Sequence, residues 1–192
     1  PAFMPSPPAP RPQLVHAGHD EGRDRRLRVG VAVADAPQGP YEDAIGGPLF
    51  DPGYAVIDGT LFYGEDGTPY MIYSRDCSEN VVGSYHESHL YGIELAPDLL
   101  STVGEGALLT TPDHDWELKS GDYHWNEGPF VLIHNGKYYL FVSFKSEKRH
   151  RATQILVCDT PDGTFVPHSK EPITPASWEA LDGTLYISKD GT

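Results

Sequence analysis

The sequence predicts an all-β protein of β-propeller architecture, with about three blades in its 192 residues, and three observations carry that expectation. Short β-branched and aromatic runs recur between glycine, proline and asparagine, whereas helix signals are scarce. Asp-Gly and Asn-Gly dipeptides, which accept the positive φ angles of tight hairpins, punctuate the runs. Residues 27–68 also lie over residues 151–192 without a gap, and a repeat at fixed spacing is the signature of a modular fold.

Taken in order, residues 1–13 hold six prolines and no apolar periodicity. Residues 1–26 therefore read as an extended, poorly ordered proline-rich leader, with the packed domain as residues 27–192, starting near Leu27. Strands are expected at 28–34 (RVGVAVA), 69–74 (PYMIYS), 90–95 (LYGIEL) and 137–144 (KYYLFVSF). Hairpin turns are expected at Asp66-Gly67, Asn135-Gly136 and Asp190-Gly191.

The repeat keeps one offset throughout. Asp35, Pro37 and Gly39 fall on Asp159, Pro161 and Gly163, and Asp58-Gly59-Thr60-Leu61 falls on Asp182-Gly183-Thr184-Leu185, 124 residues on. A looser copy begins between them at Glu127-Gly128-Pro129-Phe130, which puts the mean unit at about 62 residues, a size that suits a four-stranded blade. A sandwich or jelly roll would supply short strands but would leave the gapless repeat unexplained. The chain begins near the last strands of one blade and stops just past the turn of another, so it reads as incomplete. Three blades do not close a ring, and their open edges would invite self-association.

Formal net charge is −14, which opposes a nucleic-acid backbone or an anionic membrane surface as partner and favours neutral polyhydroxy ligands. No apolar run is long enough to span a membrane as a helix. The chain opens on Pro1 and shows no signal peptide, so cytoplasmic and secreted locations both stay open. Cys77 and Cys158 have neither disulfide-framework nor zinc spacing and read as buried free thiols.

Each unit opens on an acid: Asp58, Glu127 and Asp182. Inner strands line a propeller's channel, so acids at equivalent blade positions would converge there and oppose each other's ionisation. Glycoside hydrolysis needs such a pair, one carboxylic acid for the leaving oxygen and one carboxylate for water or sugar. Against that stands a plain reading of Asp-Gly-Thr as a strand-start signature, which suits Asp182 best. Glu127 is the stronger candidate, because glutamate replaces aspartate and Trp125 and Phe130 flank it, both suited to stacking on sugar faces.

Segments 28–41 (RVGVAVADAPQGPY), 57–76 (IDGTLFYGEDGTPYMIYSRD) and 125–143 (WNEGPFVLIHNGKYYLFVS) together resemble glycoside hydrolase family 43. Segments 75–80 and 86–92 resemble its arabinan-directed branch. The resemblance implies a five-bladed β-propeller and an inverting glycosidase of arabinofuranosyl or xylosyl linkages, as in arabinanases, α-L-arabinofuranosidases and β-xylosidases. On its pattern Glu127 matches the general acid and Asp58 the aspartate that tunes and orients it. The general base of the first blade has no match among Asp20, Glu21, Asp24, Asp35, Glu42, Asp43 and Asp51. The family's fourth-blade Gly-Pro-Gly-His segment is replaced by 175–181 (PASWEAL). The missing base keeps a rival open: a carbohydrate-binding propeller without turnover.

Trp125, Asn126, Arg75, Phe130 and Tyr54 are expected to contact an oligo- or polysaccharide substrate. Trp178 is a further stacking candidate, and every such aromatic has blade core as its alternative. Arg75-Asp76 is similar to the pair that grips sugar hydroxyls in five-bladed fructosidases, but no proline follows and no Asn-Asp-Pro precedes. His86 and His89 lack a third ligand and read as polar loop residues, so no metal site is expected. No cofactor is required; calcium in the central channel is known in some family members and unsupported by this sequence.

Overall fold

The computed structural model describes residues 13–17, 27–114, 116–117, 122–145 and 152–174, and among these every regular element is a strand. Strands β1 (Gln13–Ala17), β2 (Arg28–Val33) and β3 (Glu42–Asp43) form one antiparallel sheet in chain order. Next come β4 (Val56–Tyr63), β5 (Pro69–Arg75), the short β6 (Val81–Val82), β7 (Tyr85–Leu95) and β8 (Thr102–Thr110). The order β4-β5-β7-β8 is a complete four-stranded blade, and β6 folds onto the start of β7. β9 (Tyr123–His134), β10 (Lys137–Phe144), β11 (Ala152–Cys158) and β12 (Val166–Pro167) make the next blade in the same meander. This is the all-β, roughly three-bladed arrangement the repeat predicted.

The ladder reproduces the repeat residue for residue. Ala32 pairs with Asp43 and Val33 with Glu42 in the first blade; Leu156 pairs with Pro167 and Val157 with Val166 in the third, each residue 124 further on. Two expectations are corrected. β1 falls inside the supposed leader yet is a strand paired along β2, because the prolines end at Pro12 and the run Gln13–Ala17 follows. Asn135-Gly136 is a two-residue turn with φ of 50° and 71°, whereas Asp66-Gly67 sits within the longer loop 64–68, where Asp66 Oδ1 accepts the Thr68 N–H at 2.9 Å. Asp190-Gly191, Asp182 and Trp178 lie outside the described residues.

The core lies between blades. Val29, Val31, Leu49, Val56, Met71 and Tyr73 pack the first against the second, and Phe62, Ile72, Leu90, Leu109, Leu140 and Leu156 pack the second against the third. Period-2 alternation on strands buried on both faces supplies these layers. A parallel contact also stitches blade to blade: His86, Glu87 and Ser88 at the start of β7 pair with Tyr123, His124 and Trp125 of β9. It delivers the start of one blade's third strand to the next blade's inner strand.

Candidate active site

Both candidate acids sit at β-bulges of inner strands. In β4 the ladder passes from Ile57–Ser74 to Thr60–Ile72, so Asp58 and Gly59 face Tyr73 alone. In β9 it passes from Glu127–Ser143 to Phe130–Phe141, so Gly128 and Pro129 face Val142 alone. A bulge adds a residue to one strand and re-aims its side chains, a device common beside active sites.

This register corrects the assumed equivalence of the acids. Asp58 corresponds to Gly128, and both take a left-handed backbone, with φ of 55° and 58°; Glu127 corresponds to Ile57. Aligning Asp58-Gly59 with Glu127-Gly128, each an acid before a glycine, is therefore one residue out of register. Asp58 is the more telling of the two, since a non-glycine residue at positive φ is uncommon and tends to mark functional places. Its Oδ2 accepts the Gly128 N–H at 3.1 Å, which ties its carboxylate to the residue following Glu127.

On β9, Tyr123, Trp125 and Glu127 lie on the accessible face, and His124 and Asn126 on the buried one. Ser88 joins the Glu127 face from β7. Its hydroxyl donates to Glu127 Oε1 at 2.6 Å and accepts the Cys77 N–H at 3.0 Å. Trp125 is half-buried on the same strand face as Glu127. Asn126 departs from expectation: it is fully buried, with Oδ1 3.5 Å from Gln154 Nε2, because alternation turns it away from Glu127. Phe130 is half-buried and packs against Phe141 at 6.1 Å, a contact within its own blade.

Arg75 and Tyr54 form a separate pair. The guanidinium carbon lies 4.6 Å from the Tyr54 ring centre, and the Tyr54 hydroxyl is 3.1 Å from that of Tyr73. Burial pushes both phenols up. Tyr54 and Tyr73 also line a cavity of about 460 Å³ with Phe50, Ile93 and Glu105, and neither acid borders it. Two of the upstream carboxylates are occupied structurally: Asp43 Oδ1 accepts the N–H groups of Ile45 and Gly46, and Asp51 pairs with Arg28 at 2.9 Å.

The structure adds residues the sequence did not single out. Glu117 is 3% exposed; its Oε1 accepts from Gln154 Nε2 at 2.8 Å and its Oε2 from the His114 N–H at 2.7 Å. Burial pushes its carboxyl up to about 7 despite these donors. Trp116 Nε1 donates to Gln154 Oε1 at 2.6 Å, so the network stands behind Asn126. Nothing in the local sequence announces it, since Gln154 lies 37 residues from Glu117. His86 and His89 are strand residues and not the loop residues expected: His86 Nδ1 lies 3.0 Å from the Cys77 carbonyl, and His89 Nε2 lies 2.8 Å from Glu87 Oε2. Among the described residues, Asp113, His114 and Glu117 could bring one metal-ligating atom each within 4.8 Å of one another. The oxygens of Glu117 already accept hydrogen bonds there. Cys77 and Cys158 are free thiols, half-buried where full burial was expected, and burial pushes the Cys77 thiol up.

Repeated four-stranded blades in one meander define a β-propeller architecture. The sequence profile of glycosyl hydrolases family 43 matches residues 14–152. The chain belongs to that family, and its blades are part of the family's five-bladed propeller. It is 30% identical to a β-D-galactofuranosidase of Aspergillus niger over 140 residues, 71% of this chain and 36% of that protein. It is 28% identical to a xylosidase/arabinosidase of Bacteroides ovatus, over 72% of this chain and 42% of the relative. A solved thermostable family-43 glycoside hydrolase superposes with a TM-score of 0.74 at 35% identity, over 84% of this chain and 54% of the other. The matched part of the chain thus spans about two fifths of the length of these two curated relatives.

Proposed function

We propose that the protein is an inverting glycoside hydrolase acting on arabinofuranosyl or xylosyl linkages of plant cell-wall polysaccharide. Glu127 is its proton donor and Asp58 the carboxylate that opposes ionisation of that donor and orients it. The observation that carries the reading is the Asp58–Gly128 hydrogen bond, which couples one acid to the backbone of the other across two inner-strand bulges. Trp125 lies on the same strand face as Glu127 and offers a flat apolar surface to a sugar ring. Glu127 protonates the departing glycosidic oxygen while water attacks from the opposite face of the ring, activated by a carboxylate of another blade. The relative named a xylosidase/arabinosidase supports the substrate class, whereas the one named a β-D-galactofuranosidase supports only the cleavage of a glycoside.

The test is to give the protein arabino- and xylo-oligosaccharides and follow the anomeric protons of the released sugar by NMR. Release of the inverted anomer first is the expected result. Release of the retained anomer, or binding without release, overturns the reading.

A further inference from the structure

We infer that Ser88 is a positioning residue for the proton donor: it holds Glu127 Oε1 as a hydrogen-bond acceptor and so fixes the orientation of the carboxyl that delivers the proton. This rests on the reading of Glu127 as the acid.

A hydroxyl has one hydrogen to give, and that of Ser88 goes to Glu127 Oε1 at 2.6 Å. Ser88 is held fast, with the Cys77 side chain as a further neighbour of its hydroxyl. It has no solvent exposure, and its oxygen accepts the Cys77 N–H at 3.0 Å, which directs the remaining hydrogen elsewhere. The parallel pairing of Ser88 with Trp125 fixes it two residues from Glu127 on the same face. The acid is therefore gripped from the preceding blade at two points, by Ser88 on its carboxyl and by Asp58 on the Gly128 amide.

The chemical consequence follows from which protonation state each contact favours. A donor to a carboxylate favours the ionised form, whereas a neighbouring carboxylate opposes it. Ser88 and Asp58 thus act on Glu127 in opposite senses. Fixing the carboxyl in one orientation aims its proton at the leaving group, and such orientation is worth large factors in rate.

The experiment compares Ser88→Ala, Ser88→Cys and Glu127→Gln with the wild-type protein on two substrates, an unactivated oligosaccharide and an aryl glycoside with a good leaving group. The reading is the ratio of the two activities, which is independent of how much of each variant is folded, together with the alkaline limb of the pH profile. Ser88→Ala is expected to lose about tenfold or more on the oligosaccharide and much less on the aryl glycoside. Its alkaline limb is expected to move upward, opposite to the shift that removal of the Asp58 charge produces. Ser88→Cys, which keeps the size and a weak donor, should fall between. If Glu127→Gln lowers the ratio but Ser88→Ala leaves both ratio and limb unchanged, the inference about Ser88 fails while the acid assignment stands. If Glu127→Gln itself keeps the wild-type ratio, the acid assignment fails and Ser88 falls with it.

Discussion

Glu117 makes the stability of this protein depend on pH in a defined window. Its carboxyl is pushed from 4.5 up to about 7, with burial the largest cause, at a position only 3% exposed. Below pH about 4.5 both folded and unfolded chains hold the proton and the group contributes in full. Between about 4.5 and 7 the unfolded chain has released it and the folded one has not, so stability falls as pH rises. Above about 7 both forms are ionised and the loss is complete. At 1.36 kcal/mol per pH unit the shift amounts to about 3 kcal/mol. Urea denaturation of the wild type and of Glu117→Gln across pH 4.5–8 isolates this contribution, because the other titrating groups cancel in the difference. Relative to the variant, the wild type should lose about 3 kcal/mol over that range. A difference that does not vary with pH would refute the reasoning, whatever the absolute stability of the variant.

Two further outcomes follow from the same geometry. Asp58→Asn should shift the alkaline limb of the pH–rate profile downward, because it removes a negative charge beside the proton donor, and an unchanged limb would return Asp58 to the role of a strand-start residue. The fold should tolerate the change, since asparagine also accepts the positive φ of 55° at this bulge. Gly106→Ala should cost about 1–3 kcal/mol in thermal or urea unfolding, because its Cβ would press on the buried Tyr73 hydroxyl, whose ring is held by Phe50 at 5.1 Å and Tyr91 at 5.7 Å. Adding Tyr73→Phe should relieve part of that cost, and strict additivity of the two changes would contradict the proposed contact.

The architecture was legible because a repeat is written in the residues themselves. The offset that lays Asp35 on Asp159 also lays the pairs of β2 with β3 on those of β11 with β12, since equal spacing between turns forces equal registers. Glu127 and Asp58 stood out as acids opening repeat units, and the structure brings them together through Gly128. What the sequence hid lies at the bulges. Both inner strands carry the same bulge, yet the acid stands on it in β4 and one residue before it in β9, and composition does not reveal where a ladder skips. Asn126 follows the strand's own period of two, since alternation alone turns it away from its neighbour's face. Ser88 and Gln154 were hidden for another reason: their partners are 39 and 37 residues distant, and only the folded sheet order brings them into reach.

The central claim is that Glu127 supplies the proton, and one comparison tests it most directly. Glu127→Gln keeps the shape of the side chain but cannot release a proton, so the variant should bind arabino- or xylo-oligosaccharides while its turnover of them falls by at least about 10²-fold. Turnover of an aryl glycoside, whose leaving group needs little protonation, should fall far less. Equal loss on both substrates, or wild-type turnover of the unactivated oligosaccharide, would contradict the account.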